Sequence, residues 1–511
     1  MGKFYLTTPI FYPNARPHLG NVYPTVISDA IARYHRLLGD QTYLLTGTDE
    51  NTQKMVDAAK KLDKAPLKFL DDTVEEFKKT FADLNISFDQ YIRTTDQKIH
   101  WPGATAFWKK FVANDDIYKK EYQGLYCIGH EAFITEKDLV DGKCPDHGTI
   151  PEYLKEENYF FRLSKYRDTI VQKIEDDELK IIPQERKNEI LSFLREGLDD
   201  ISFSRPRRAD WPEGLGVPVP GDPSQVMYVW CDALANYATA VGYGRDEKMF
   251  TTWWPADLHV IGKDLIRFHA AIWPAMLLSA GLPLPKVILA HGLILSGGRK
   301  MSKSLGNVVD PVELIETYGA DAVRYYLLRH VTPFSDADMT LESFKDAYNG
   351  NLANGLGNLV ARVMKLAEDN LSEPVFKKDT EFSLEFSALI KVQMDNFEFN
   401  AVMDMIWATI RNASDDISKL KIFEEGGQIK SVTVSNAVSS VMAMDVSIQE
   451  EKPFQVIKEN KEKGLELIRK NVINLVFVAK HLEPFMPQTS KKIIEAVLAN
   501  KKPESLFARL T

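Results

Sequence analysis

The sequence predicts an α/β protein. A parallel sheet is split by a small inserted domain and followed by an α-helical bundle. Three observations predict this. The first 50 residues run strand, helix, strand, which puts both strands parallel in one sheet. Between about 116 and 220, short strand-like runs, turn pairs (Asp141-Gly142, His147-Gly148) and two Cys/His pairs interrupt that pattern. From about 345 to 511 the apolar residues recur at helical spacing with short connections.

Taken in order, Lys3 to Thr7 is an apolar-leaning strand, and the loop Pro9 to Pro17 carries three prolines that bar regular structure. Val22, Val26, Ile27, Ala30, Ile31, Tyr34 and Leu38 then share one helix face until Gly39 stops it. Gln41 to Thr46 is the second strand, ending in Gly47-Thr48-Asp49-Glu50-Asn51, and residues 54–113 are mostly helical by periodicity. After the interruption, the Gly/Pro-rich stretch Gly214 to Pro223 returns the chain to the α/β pattern. Met227 to Trp230, Leu258 to Ile261 and Lys286 to Leu289 read as strands, with a long helix from about Asp264 to Ala280. Beyond residue 300 strands disappear, and Asp310-Pro311-Val312-Glu313 opens a helix with Asp as N-cap and Pro at the first turn. The expected organisation is a catalytic sheet domain at 1–115 and 221–290, an inserted domain at 116–220, a linking region at 291–344 and a helical domain at 345–511.

Composition narrows the function classes. At 511 residues the prior is about three to four domains. With 44% hydrophobic and 26% charged residues the chain is neither disordered nor fibrous. A net charge of −9 argues against a globally basic nucleic-acid coat, although a local basic face stays open. Three cysteines exclude a disulfide framework and fit a reducing, cytoplasmic setting. There is no membrane-spanning run and no targeting segment.

Two elements point to phosphate chemistry. His18-Leu19-Gly20-Asn21 sits where the first loop becomes a helix, and a helix N-terminus offers open N–H groups and a positive dipole end to an anion. Gly20 lets a flat ring approach the backbone, and His18 can donate to a phosphate oxygen. Lys300-Met301-Ser302-Lys303-Ser304 follows Ser296-Gly297-Gly298-Arg299, two cations and two hydroxyls on a glycine-rich, mobile loop able to close over a triphosphate. The pair resembles the two signatures of class I aminoacyl-tRNA synthetases. The second matches in full; in the first, Asn21 stands where the family usually has His and can hydrogen-bond but carry no charge.

The finer resemblance is to the methionyl-tRNA synthetases, and it spans essentially the whole chain. It is carried by Thr7 to Asn14, Thr46 to Glu50, Asn158 to Phe161, Met227 to Leu234, and Ile261 to Asp264 with Phe268, His269 and Trp273. It implies a Rossmann-type catalytic domain that joins L-methionine to ATP, supplied with Mg²⁺, as methionyl-adenylate. The methionyl group then passes to initiator and elongator tRNA(Met). It further implies that Asp49 holds the substrate ammonium, and that Ile10, Tyr12, Trp230, Leu234, Tyr237, Leu265, His269 and Trp273 enclose the thioether. His18, Gly20, Asn21, His291, Gly292, Lys300, Ser302, Lys303 and Ser304 would serve ATP. Homocysteine, one methylene shorter, would enter and require editing. The family often follows its acidic pair with His-Gly, where this chain has Asn51-Thr52.

Cys127, His130, Cys144 and His147 form two close pairs separated by 13 residues, a spacing that can converge on one tetrahedral Zn²⁺. A metal-free knuckle stays open, because the family's knuckle is richer in Cys and His130 is a weaker ligand than a thiolate. In the helical region Asn358 and Arg362 share a helix face and resemble the family's anticodon-reading pair. Phe454 stands where the family usually stacks a Trp on an anticodon base. From 451 to 511 there are 12 Lys/Arg against 7 Asp/Glu, a basic patch suited to limited phosphate contact. The chain shows no appended oligonucleotide-binding barrel like the one that dimerises some relatives, so a monomer is expected. A branched-chain synthetase would need a larger editing insertion than 116–220 allows. A small-molecule nucleotidyltransferase would not need the helical region. A binding module without activity would not need Lys300 to Ser304.

Overall fold

The computed structural model describes residues 2–127, 132–134, 136, 139–145, 148–301, 309–411, 420–425, 428–435 and 452–510. It divides into two compact units. One comprises residues 1–17, 41–79 and 88–291, and the other residues 18–40, 80–87 and 292–511.

The first unit is built on a six-stranded sheet in the order Gln90–Arg93, Gln41–Thr48, Lys3–Phe11, Leu258–Gly262, Val287–His291, Lys180–Ile182. Every neighbouring pair is parallel. The strand Lys3–Phe11 lies inside the sheet, and its sequence successor lies on one side while a strand from 250 residues later lies on the other. Ligands gather beyond the carboxyl ends of such strands, which here lead into Tyr12, Asp49, Lys263 and His291. The edge strand Lys180–Ile182 comes from the segment read as an insertion. The rest of that segment forms an antiparallel sheet of Ala132–Ile134, Ile117–Cys127, Glu152–Phe161 and Ile201–Ser202. Phe161 and Phe203 stack beneath it at 4.6 Å.

Two element readings need correction in this unit. Met227 ends an antiparallel strand (Asp222–Met227), and Tyr228 is the N-cap of a helix, Val229–Thr239. The aromatic and β-branched run Met-Tyr-Val-Trp therefore straddles a boundary rather than forming one strand. The helix read from 264 to 280 is three pieces: a 3₁₀ turn at Lys263–Leu265, a π-helical turn at Phe268–Ile272 and an α-helix at Trp273–Ala280. The π turn inserts one residue and re-aims the side chains on either side of it.

The second unit holds the helix Leu19–Leu37, buried along most of its length, although Leu38 just past its end is exposed. It also contains a hairpin (Ile294–Ser296 and Arg299–Lys300) and the C-terminal helices. Asp310 caps Pro311–Tyr318 as read, accepting from the Val312 N–H at 2.8 Å. Strands do not disappear beyond 300. Ala337–Asp338 pairs with Ile294–Ser296, and Glu381–Glu385, Gln428–Ser435 and Leu420–Glu425 form a three-stranded sheet. Among the described residues no helix is long and apolar enough to cross a membrane.

Candidate active site

The acidic loop begins where the strand Gln41–Thr48 ends. The Asp49 N–H donates to the Phe11 carbonyl at 2.9 Å, which ties the loop to the neighbouring strand. Glu50, though adjacent, is fully buried and spoken for. Thr48 donates to its Oε1 at 2.6 Å, Arg93 Nε to the same oxygen at 2.8 Å, and Arg93 and the Thr95 hydroxyl to Oε2. Arg93 thus pairs with the buried Glu50 carboxylate and offsets its charge. Asn51 donates to Thr94 O at 2.9 Å and to Asp232 Oδ2 at 2.6 Å, and accepts from the Gly216 N–H at 2.9 Å.

Beside this loop stands an aromatic cup. Trp230, Leu234 and Tyr237 are spaced i, i+4, i+7 on the helix Val229–Thr239 and so share a face. Leu234, Tyr237 and Trp273 are buried in one apolar cluster, with Ile10, Tyr12, Trp230 and Leu265 half-buried against it. The Trp230 and Phe268 rings stack at 3.6 Å. Lys54 lies over the Tyr12 ring at 4.4 Å. Seven of the eight residues read as lining the side-chain pocket thus lie in or against one apolar cluster, with His269 joined to it through Tyr237. His269 Nδ1 donates to Leu265 O at 3.0 Å, which leaves Nε2 to accept from the Tyr237 hydroxyl at 2.7 Å. Burial pushes His269 down to about 4, against the opposing pull of Leu265 O and Asp264, so the imidazole is neutral. Burial also raises the Tyr237 hydroxyl, and Asp49 adds to the shift, so the cup feels the Asp49 charge.

Sequence reading missed the layer behind the cup. Trp273 Nε1 donates to His259 Nε2 at 3.2 Å, and His259 Nδ1 meets Thr7 Oγ1 at 2.8 Å. Burial and the neighbouring His269 drive His259 well below its ordinary range. Asp232 and His100, 2.5 Å apart and both fully buried, were also missed. The available signal was a carboxylate inside a helix with every other residue but one buried.

In the second unit His18 is the N-cap of Leu19–Leu37. Its Nδ1 accepts from the Gly20 N–H at 3.0 Å, while Asn21 Oδ1 accepts from the His18 N–H at 3.0 Å. A Cβ on residue 20 would lie 2.7 Å from the His18 ring, so a side chain there would push the imidazole out of its capping position. Asn21 therefore uses its oxygen to build the helix end. No acidic residue sits in the first turn to offset the positive dipole end. Gly297 and Gly298, at φ of 63° and 71°, make a two-residue hairpin turn that sets Ser296 opposite Arg299 and Leu295 opposite Lys300. The glycine-rich approach to Lys300 is thus an ordered turn, whereas Ser302, Lys303 and Ser304 lie outside the described residues. His291 ends its strand opposite Gly262. The Gly292 N–H donates to Pro333 O at 2.9 Å.

The model of the class I tRNA synthetases (M) matches residues 4–150 and 137–364. The methionine–tRNA ligase of Clostridium acetobutylicum is 43% identical over 499 residues, covering 96% of this chain and 72% of that protein. The ligase of Thermotoga maritima is 39% identical, covering 98% and 76%. The chain belongs to the class I methionyl-tRNA synthetase family. A solved member, the Mycobacterium tuberculosis methionyl-tRNA synthetase in complex with methionyl-adenylate, superposes with a TM-score of 0.82 at 34% identity, covering 100% of this chain and 98% of that one.

Two further features expected of a methionyl-tRNA synthetase are placed as follows. Asn358 begins the helix Asn358–Asn370, whose buried face is Leu359, Val360, Val363, Met364 and Ala367. Asn358 is exposed and Arg362 half-buried. Phe454 stands 42% exposed near the start of Pro453–Glu459, an unusual position for a large apolar ring. Cys127 and Cys144 are both buried and no disulfide joins them. The Cys144 N–H bonds Thr149 O at 2.9 Å and the Gly148 N–H bonds Cys144 O at 2.7 Å, a tight knuckle turn. His130 and His147 lie outside the described residues, and no metal-holding group of three is found among the rest.

Proposed function

We propose that the chain is a methionine–tRNA ligase whose specificity resides in the Asp49 loop and the aromatic cup beside it. The observation that supports this reading is the Asp49 carboxylate just past the end of its parallel strand, close enough to the cup to raise the Tyr237 hydroxyl, while its neighbour Glu50 is paired with Arg93. An ammonium on Asp49 directs the side chain of methionine into the cup. There the thioether gains from contact with Tyr12, Trp230 and Trp273. The neutral His269 fixes the Tyr237 hydroxyl without adding positive charge that would repel the ammonium.

The substrate carboxylate then attacks the α-phosphorus of MgATP. The bond to the bridging oxygen breaks, and pyrophosphate leaves from methionyl-adenylate. No protein nucleophile is needed; positioning and charge stabilisation suffice. The His18–Asn21 helix end, with Lys300, Lys303 and the Ser302 and Ser304 hydroxyls, would receive the phosphates, and His291 and Gly292 would flank the nucleoside. In the second step a ribose hydroxyl of the tRNA's terminal adenosine attacks the carbonyl carbon, the ester forms and AMP leaves. Asn358, Arg362 and Phe454 would read the anticodon of tRNA(Met). Cys127, His130, Cys144 and His147 suit zinc in donor type, and such an ion would brace the knuckle without entering the chemistry.

ATP–pyrophosphate exchange with each of the twenty amino acids, in the absence of tRNA, tests the reading. Exchange driven by methionine is expected. Exchange driven by another apolar amino acid would keep the family chemistry and overturn the assignment of the cup.

A further inference from the structure

Asp232 ties the acidic loop to the helix that carries one side of the cup. It lies on the helix that carries Trp230, Leu234 and Tyr237, but at an offset of two from Trp230, which points it roughly opposite their shared face. Its Oδ2 accepts from Asn51 Nδ2 at 2.6 Å, and its Oδ1 accepts from His100 Nε2 at 2.5 Å. The other ring nitrogen of His100 meets Thr239 Oγ1, on the same helix, at 2.8 Å. Asn51 is committed on every atom, because Gly216 N–H occupies its oxygen and Thr94 O takes its second hydrogen. The amide therefore cannot flip, and only an acceptor can stand opposite it. A carboxylate is the side chain that accepts on two sides at once. An amide in place of Asp232 keeps Asn51 only by turning its N–H₂ onto His100, which then takes its other tautomer, whereas alanine removes the acceptor altogether.

We propose that Asp232 is a positioning residue for methionine activation. Through Asn51 it holds the Asp49 loop at a set distance from the cup, so that one substrate reaches both. The proposal rests on the reading that Asp49 takes the ammonium. It also gives Asn51 a role of its own: where the family often has His, this chain builds the bridge from an amide.

The test reads the ammonium contact directly. L-Methioninol carries the ammonium and the thioether; 4-(methylthio)butan-1-ol carries only the thioether. The ratio of their inhibition constants in ATP–pyrophosphate exchange measures what the ammonium contributes, about 100-fold in the unaltered chain. Asp49→Asn should collapse the ratio towards one; if it does not, the reading of Asp49 fails before Asp232 is considered. Asp232→Ala should shrink the ratio by about tenfold, the size of one lost charge-assisted contact, with the KM for ATP unchanged. An unchanged ratio in a folded Asp232→Ala protein overturns the proposal, since a merely structural role would lower stability and leave the ratio alone. Should that variant not fold, Asn51→Ala breaks the same bridge while leaving Asp232 bonded to His100, and the same shrinkage is expected. An unchanged ratio there overturns the proposal equally.

Discussion

Two helices, one in each unit, carry a fully buried aspartate behind residues assigned to the chemistry, and the two aspartates are held by opposite means. Asp29, on Leu19–Leu37, meets two guanidinium groups. Arg324 lies 2.7 Å from Oδ2, Arg33 Nε lies 2.7 Å from the same oxygen, and Ser87 donates twice to Oδ1. Arg324 in turn donates to the carbonyls of Phe485, Pro484 and Leu84. Burial pushes the Asp29 carboxyl up, but Arg324 and Arg33 outweigh it and hold the group below its ordinary range. Asp232 has an amide and an imidazole instead. Asp29 is thus neutralised by cations, whereas Asp232 is held by hydrogen bonds from an amide and an imidazole, so the first anchors its helix by charge and the second by the geometry of its donors.

Acid should weaken both units. His259 and His269 in the first unit and His330 and His481 in the second are held below their ordinary range chiefly by burial, His269, His330 and His481 to about 4. A base whose folded pKa is depressed stabilises the fold fully above its unfolded value. That contribution is lost as pH falls towards the folded one. By pH 5 each fully buried histidine of this kind costs about 2 kcal/mol, and the more exposed His330 costs less. Asp29 contributes above its unfolded pKa and is lost only at still lower pH. Hydrogen exchange at pH 7 and pH 5 should show both units losing protection; unchanged protection in either would contradict the role of its buried histidines.

Removing one partner of the charged clamp comes next in size. Arg324→Met leaves Asp29 on Arg33 alone and should cost about 3–5 kcal/mol in denaturant unfolding, with much of it recovered in Asp29→Leu/Arg324→Met. A cost near zero would mean that the pair is not what fixes this helix.

The legible part of the molecule was local. Alternation and helical spacing gave four of the six parallel strands and the helix Leu19–Leu37, while Gln90–Arg93 and Lys180–Ile182, four and three residues long, were too short to show a period; the resemblance to the family, not periodicity, singled out Asp49 and the cup. What failed depended on contacts distant in sequence or on departures from regular periods. The His100–Asp232 bond spans 132 residues and leaves no local trace. The π turn at Phe268–Ile272 hides among apolar residues on all sides. The runs Lys421-Ile422-Phe423 and Ser431-Val432-Thr433-Val434 did carry a strand signal, masked by the helical periodicity around them.

Smaller effects refine the contrast. Tyr237→Phe removes the donor to His269 Nε2 and should raise the KM for methionine by about tenfold, with the KM for ATP unmoved. Gly298→Ala forces a side chain into φ of 71° and should cost about 1 kcal/mol in the hairpin before Lys300, seen as a modest slowing of adenylate formation. Equal rates for the two proteins would show that the turn does not set the approach to Lys300.

The most direct measurement is the binding of L-methionine to the unaltered protein and to Asp49→Asn, followed by the fluorescence of the tryptophans in the cup. Binding weakened by about 100-fold in the variant, with its thermal unfolding unchanged, is the predicted result. Equal binding by both would contradict the assignment of Asp49 and the positioning role of Asp232 that rests on it.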